Sequence, residues 1–250
     1  LTPRYLRNPG EPVYDVDARR YLDVSDARDE ADLHDVFTDI YRTNRWGSDE
    51  TRSGPGSELQ RMKRVIAQLG ALIADLGVRS VLDAPCGDLN WMRHVDLHGA
   101  SYLGGDVVAD LVSANRAEHP APGWEFQLLD FTAQPVPRVD LIVCRDALVH
   151  FSYQHVVEAL TRFRESGSRY LLTTTFSRTA ANTDIVTGWW RPINLRLAPF
   201  GLPEPLRVIG DDESDDFYDD KTLALWDLAQ IPAHFPGYEP VAAESGSRGA

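Results

Sequence analysis

Five short apolar runs, at residues 80–84, 102–106, 124–130, 139–144 and 170–176, alternate with turns and with stretches of helical spacing at 90–95, 108–118 and 153–165. Each run is too short for a buried helix and closes on polar or turn-forming residues, as buried strands do. Strands joined through helices pair in parallel, and the helices cover both faces of the sheet. Right-handed crossovers then make the domain doubly wound. Two further runs, 206–209 and 223–228, have no helical pattern between them and predict a closing antiparallel pair. The expected architecture is α/β, with a mostly parallel seven-stranded sheet and helices on both faces.

Ahead of the first run, Leu59, Met62, Val65, Ile66, Leu69, Leu72, Ile73 and Leu76 keep helical spacing up to Gly77. Ser57 with Gln60 has the spacing of a capping box at the start of that helix. Leu33, Val36, Phe37, Ile40 and Tyr41 form a shorter amphipathic stripe, and residues 46–56 between the two helices are turn formers. Residues 1–32 have no sustained period and read as a lead-in arm. Residues 177–201 also lack one, and a segment of that length suits a lid-like insertion after the fifth strand. The chain thus divides into an N-terminal arm and cap (1–56), a core that includes the insertion (57–232) and a tail (233–250).

The 250 residues fit one elaborated domain at roughly 150 residues per domain. A net charge of −13 argues against contact with nucleic acid or an anionic membrane, both of which select basic surfaces. Part of that charge is local, in Asp211, Asp212, Glu213, Asp215, Asp216, Asp219 and Asp220. That run lacks the Gly and Glu placement of a calcium loop, so a solvated loop and no metal are expected. Cys86 and Cys144 are too few for a disulfide framework or a metal site and read as reduced packing residues. No run approaches the roughly 18 apolar residues of a membrane span, and the charged residues 1–20 do not form a signal peptide. A soluble, cytoplasmic protein is expected.

In an open parallel sheet, ligands bind beyond the carboxyl ends of the strands, where the winding reverses. The first run ends Asp83, Ala84, Pro85, Cys86, Gly87, and Gly87 lets the backbone turn tightly and approach a ligand closely. Asp106 closes the second run 19 residues after Gly87, near the roughly 20 at which such folds place a carboxylate on ribose hydroxyls. Asp130 and Phe131 close the third, a carboxylate that can accept from an exocyclic amine beside a ring that can flank a purine. Three strand ends can together bind one nucleoside. Taken singly, each acid also suits a helix cap or a turn.

The ordered segments VLDAPCGDLNWM (81–92), YLGGD (102–106), LLDF (128–131), CRDALVHF (144–151) and YLLTTTF (170–176) resemble the class I methyltransferases that use S-adenosylmethionine. The resemblance covers residues 57–176 and implies a Rossmann-like methyltransferase fold with S-adenosylmethionine as cofactor. It implies that Asp83 and Gly87 meet the methionine part, that Asp106 holds the ribose and that Asp130 meets the adenine amine; Ala84, Pro85, Val107 and Phe131 beside them are also candidates for cofactor contacts. Arg145, Trp46 and Ser57 are further candidates for cofactor contacts. Pro85 and Leu89 stand where the family's turn carries more glycine. Residues 46–57 and 182–200 are similar to a bacterial subgroup of such enzymes, which supplies no substrate.

Methyl transfer to a hydroxyl needs alignment and a group to take the proton. Asp146 and His150, four residues apart, lie on one face if that segment is helical, and His150 has a suitable unperturbed pKa near 6.5. His150 as an anchor for the next helix is the alternative. Trp189, Trp190, Arg191 and Asn194 lie beyond the fifth run, where aromatic platforms suit sugar rings or planar groups and Arg191 can read a carboxylate or phosphate. Tyr41, Asn44 and Trp46 can cover the ligand from the N-terminal side. Ser53, Gly54, Gly56 and Ser57 can meet the methionine carboxylate through backbone N–H groups. The expected activity is methylation of a small-molecule acceptor at a hydroxyl, as in secondary-metabolite or sugar modification. A non-catalytic binding module, and transfer to nitrogen or to a protein or glycan, suit the same motifs.

Overall fold

The strands fall where apolar residues alternate in a way that fills both sides of a sheet. The first five strands are β1 (Ser80–Asp83), β2 (Ser101–Asp106), β3 (Trp124–Leu128), β4 (Leu141–Cys144) and β5 (Tyr170–Phe176); successive side chains of β1, β2, β4 and β5 enter opposite cores, while the edge strand β3 buries Phe126 and exposes Glu125 and Leu128. Val81, Leu141, Val143 and Leu172 pack on one face, while Leu82, Ile142, Cys144 and Leu171 pack on the other. β6 (Arg207–Gly210) and β7 (Lys221–Asp227) complete a seven-stranded sheet in the order β3-β2-β1-β4-β5-β7-β6. The first five strands are parallel, and β7 runs antiparallel to both β5 and β6. Winding reverses between β1 and β4, so the crevice outside their carboxyl ends is the expected place for a ligand. This computed structural model describes residues 14–15, 20–21, 32–210, 219–235 and 238. The lead-in arm, apart from a two-residue pairing of Tyr14–Asp15 with Arg20–Tyr21, lies outside the described residues, as do positions 211–218 and the tail beyond residue 238.

Four helices dress the sheet: α1 (Leu33–Thr43), α2 (Leu59–Leu76), α3 (Ala109–Glu118) and α4 (Tyr153–Glu165). Asp32 starts α1 by accepting from the backbone N–H of His34 at 2.8 Å, and Gly77 stops α2 in the left-handed region at φ 61°. The apolar stripe of α2, Met62, Val65, Leu69, Leu72 and Ile73, is buried on the Val81 face. Val156, Ala159, Leu160 and Phe163 of α4 are buried on the Leu82 face. None of the helices among the described residues is long and apolar enough to cross a membrane. Cys86 and Cys144 are free and buried.

Two local expectations need correction. Ser57 does not cap α2: it ends a short 3-10 turn, Pro55–Ser57, and the helix begins beyond Glu58 without a side-chain cap. The expected helix at 90–95 shrinks to the 3-10 turn Met92–His94. The insertion at 177–201 is anchored in the fold. Ile185, Ile193, Leu195 and Phe200 within it are buried, and the N–H groups of Gly188 and Arg191 donate to the carbonyls of His150 and Val149 at 2.8 and 3.0 Å. Its apolar residues are spaced irregularly because the segment is anchored by individual side chains rather than by a helix or strand face.

Candidate active site

The carboxyl ends of β1, β2 and β4, together with one face of α1, line a cavity open to solvent, whose empty space is about 1210 Å³ with the open solvent in its mouth included. At its polar end β1 stops at Asp83 and the chain turns through Gly87. Gly87 is required there for two reasons. Its φ of 55° is left-handed, and a Cβ at this position would stand 2.3 Å from the Ser53 hydroxyl, which covers the turn. The Gly87 N–H donates to Asp106 Oδ2 at 3.1 Å, and its carbonyl accepts from Asn115 Nδ2 at 2.8 Å. Asp106 Oδ1 accepts from the Val108 N–H at 3.0 Å, so each carboxylate oxygen keeps accepting capacity for a ligand.

Asp83 and Asp106 are both buried, and neither makes an ion pair among the described residues. Burial raises the Asp83 carboxyl to about 7, opposed by the Tyr102 hydroxyl, which donates to Oδ2 at 2.8 Å. Burial likewise raises Asp106 to about 6, opposed by the N–H groups of Val108 and Gly87. Two acids held this way at adjacent strand ends form a site that favours a ligand carrying hydroxyl donors and a positive charge.

The opposite end is aromatic. Leu33, Phe37 and Tyr41, four residues apart along α1, present one face of that helix to the cavity. Phe37 meets Phe151 at 5.7 Å between ring centroids, Phe151 meets Phe131 at 5.7 Å, and Trp46 lies 5.0 Å from the His150 ring. The His150 ring bonds through Nδ1 to the Trp189 carbonyl at 2.8 Å. A carbonyl only accepts, so Nδ1 carries the proton and Nε2 has the lone pair. Burial lowers the imidazole to about 4, which keeps it neutral at ordinary pH.

Asp146 does not share a helical face with His150. It sits before the 3-10 turn Leu148–His150 in the left-handed region, at φ 53°, where a non-glycine residue is strained. Its carboxylate takes Lys221 Nζ at 2.7 Å, Arg145 Nη1 at 3.0 Å and the Thr174 hydroxyl at 3.1 Å. Burial pushes that carboxyl up, but Arg145 and Lys221 outweigh it and hold the group well below the usual carboxylate range. Asp146 therefore fixes the β4 end rather than orienting His150. Arg145 also donates to Ser57 Oγ at 3.2 Å and the Gly56 carbonyl at 2.8 Å, joining the covering loop to β4.

Of the residues singled out from the sequence, Tyr41, Trp46, Ser53, Gly54, Gly56, Ser57, Asp83, Pro85, Gly87, Asp106, Val107, Phe131, Arg145, Asp146, His150 and Trp190 line this cavity. Asn44, Ala84, Asp130, Trp189, Arg191 and Asn194 do not. Ala84 is buried, its N–H on the Val143 carbonyl at 2.9 Å. Asp130 closes its own turn, with Oδ1 accepting from the Thr132 hydroxyl and N–H at 2.6 and 2.8 Å. Trp189 contributes its carbonyl to His150. Asn194 fastens the insertion through the carbonyls of Ser177 and Thr179, and Arg191 does so through three others. The Ser57 N–H donates to the Gly54 carbonyl at 2.9 Å, so this N–H is already used within the loop. Leu33, Phe37, Arg52, Trp91 and Phe151 also line the cavity. The four-residue spacing of Leu33, Phe37 and Tyr41 is the signal that was available for the first two.

No family model matches the sequence, and no curated protein sequence does. Solved structures do match. Magnesium protoporphyrin IX methyltransferase from Synechocystis PCC 6803, with S-adenosylmethionine bound, superposes with a TM-score of 0.53 at 16% identity, over 80% of this chain and 99% of that one. The chain has the class I methyltransferase fold. The 1,6-didemethyltoxoflavin-N1-methyltransferase of Burkholderia thailandensis gives 0.54 at 16% identity, covering 82% and 96% of the two chains. Human N-acetylserotonin methyltransferase gives 0.51 at 13%, over 78% of this chain and 59% of that enzyme.

Within this class I fold the polar end of the cavity makes a direct prediction. Asp106→Ala should weaken binding of S-adenosylhomocysteine by about 1 to 3 kcal/mol, through loss of charge-assisted hydrogen bonds. Because burial raises Asp106 to about 6 and Asp83 to about 7, and binding uses both in the ionised form, affinity should be full near pH 8 and fall as pH drops through 7 and then 6. Calorimetry between pH 5 and 8 checks both. Unchanged affinity in the variant would remove Asp106 from the ligand.

Proposed function

We propose that the chain is an S-adenosylmethionine-dependent methyltransferase that acts on a hydroxyl of a small-molecule acceptor. The observation that carries this reading is the pair of buried carboxylates, Asp83 and Asp106, on adjacent strand ends around the Gly87 turn, neither in an ion pair among the described residues. The residues fit the cofactor: Asp106 offers acceptors to ribose hydroxyls, Asp83 offers an anion to the methionine ammonium, and Phe131 with Leu111 offers an apolar wall to the base. When bound, S-adenosylmethionine supplies a methyl group on a sulfonium whose departure needs no acid.

The chain's own residues then have two tasks. The aromatic wall of Phe37, Tyr41, Trp46, Phe151 and Trp190 positions an acceptor and excludes water, and positioning accounts for much of the acceleration. His150 accepts the acceptor's proton at Nε2 and passes it to solvent after transfer. The small-molecule assignment is supported by the matched structures, whose named acceptors are magnesium protoporphyrin IX, 1,6-didemethyltoxoflavin and N-acetylserotonin.

A thermal-shift titration tests the reading. S-adenosylhomocysteine at about 100 times its Kd should stabilise the fold by about 2.7 kcal/mol. An unchanged Tm at millimolar ligand overturns it. Transfer of a labelled methyl group into a pool of hydroxylated metabolites separates an enzyme from a module that only binds.

A further inference from the structure

We propose that Asp88 is a positioning residue: its carboxylate fastens residues 51–53 onto the Gly87 turn and so holds Arg52, Ser53 and Gly54 in the cavity wall. The proposal rests on the cavity being the S-adenosylmethionine site. Asp88 does not itself line the cavity, whereas Arg52, Ser53 and Gly54 do.

Both carboxylate oxygens are committed to the loop. Oδ1 accepts from the Thr51 hydroxyl at 2.7 Å and from the Ser53 hydroxyl at 3.2 Å. Oδ2 accepts from the Arg52 N–H at 2.7 Å, with the Thr51 hydroxyl also 2.8 Å away. The Thr51 hydroxyl in turn accepts from the Ser53 N–H at 3.0 Å, so one acid orders three consecutive residues. A second acid acts from the loop side, where Glu50 Oε1 accepts from Asn90 Nδ2 at 2.6 Å and from the Leu59 N–H at 2.8 Å.

Hydrogen bonds set this loop because little else can. Between Ser48 and Gly54 it has no apolar side chain to bury. Its position is nonetheless tight, since the Ser53 hydroxyl occupies the place of a Gly87 side chain, 2.3 Å from where a Cβ would stand. Release of the loop therefore uncovers the glycine turn and widens the polar end of the cavity. An isolated hydrogen bond has modest net value, but a charged acceptor shared by several donors is worth more and acts cooperatively.

Asp88 also helps to raise the Asp106 carboxyl by charge repulsion. Its neutralisation would favour the ionised form of Asp106 near pH 6, so the measurement belongs at about pH 8, where Asp106 is ionised in either protein. The experiment compares wild type, Asp88→Asn, Thr51→Val and the double variant. Calorimetry with S-adenosylhomocysteine should show Kd raised roughly tenfold in each single variant, and the double variant no worse than the weaker single, because both break one unit. KM for S-adenosylmethionine should rise more than kcat falls. Amide exchange in the ligand-free protein should quicken at Arg52 and Ser53 in Asp88→Asn. A Tm that drops while Kd stays within about twofold of wild type would make Asp88 merely structural and overturn the proposal. Thr51→Val, being isosteric, keeps the test open if Asp88→Asn folds poorly. A wild type that binds no S-adenosylhomocysteine would defeat the functional reading and this proposal together, whereas wild-type binding unchanged in the variants defeats the proposal alone.

Discussion

His150→Ala is expected to lower kcat by about 100-fold or more while leaving S-adenosylhomocysteine affinity nearly intact, because general-base catalysis contributes about that much. The imidazole stands on the aromatic wall, 5.0 Å from the Trp46 ring, and its Nδ1–H is committed to the Trp189 carbonyl. The lone pair at Nε2 is thus fixed in place before the acceptor arrives, which spares reorganisation during the reaction. Burial holds the group near 4, so it is a weak base but always in its basic form at neutral pH. The sign of the pH effect follows. Titration of His150 should leave kcat flat between about pH 6 and 9 and depress it only as pH falls toward 4, in contrast to an unperturbed histidine with its break near 6.5. His150→Asn separates chemistry from anchoring. An asparagine amide can replace the bond to the Trp189 carbonyl but has no basic nitrogen. Restored activity in His150→Asn would assign the residue to anchoring the segment after β5, and continued loss would assign it to proton transfer.

The parallel sheet was legible because β1, β4 and β5 at its centre are buried on both faces and so read as unbroken apolar runs between turns. Asp83, Gly87 and Asp106 were legible for a related reason. A doubly wound sheet assigns its ligand to strand ends, so a polar residue closing an apolar run is already placed in three dimensions. Asp130 shows the limit of that inference, since the same strand-end carboxylate can satisfy its own turn, and nothing in LLDF distinguishes the two outcomes. Asp146 and His150 do not share a helical face despite their four-residue spacing, because the backbone at Asp146 is left-handed. Asp88 was overlooked because its partners lie 35 to 37 residues earlier in the loop at 51–53. Spacing reveals contacts within an element, while contacts between two loops depend on where the sheet carries them.

Arg191 shows how strongly burial can reassign a residue, and its replacement should have the largest effect on stability. Arg191→Met is expected to destabilise the fold by about 3 to 5 kcal/mol. The side chain is fully buried, although an arginine in an irregular segment near a pocket invites the role of anion reader. Its Nε donates to the Thr183 carbonyl at 3.0 Å, Nη1 to the Leu148 carbonyl at 2.8 Å and Nη2 to the Phe151 carbonyl at 2.8 Å. Those carbonyls belong to chain segments that no regular ladder satisfies, and the planar fork of a guanidinium matches several at once as lysine cannot. Methionine preserves much of the volume but leaves buried acceptors without these donors. At roughly 2 to 4 °C per kcal/mol for a chain of this size, Tm should fall by about 6 to 20 °C. Leu148 and Phe151 flank His150, so kcat should also fall at temperatures where the variant remains folded. Arg191→Lys should recover little, because one ammonium cannot span the three carbonyls. A variant melting within about 2 °C of wild type but with a raised KM for an anionic acceptor would place Arg191 on the substrate instead. The three carbonyl bonds argue for the first outcome: a guanidinium used to hold the turn at 148–151 is not also positioned to meet a ligand.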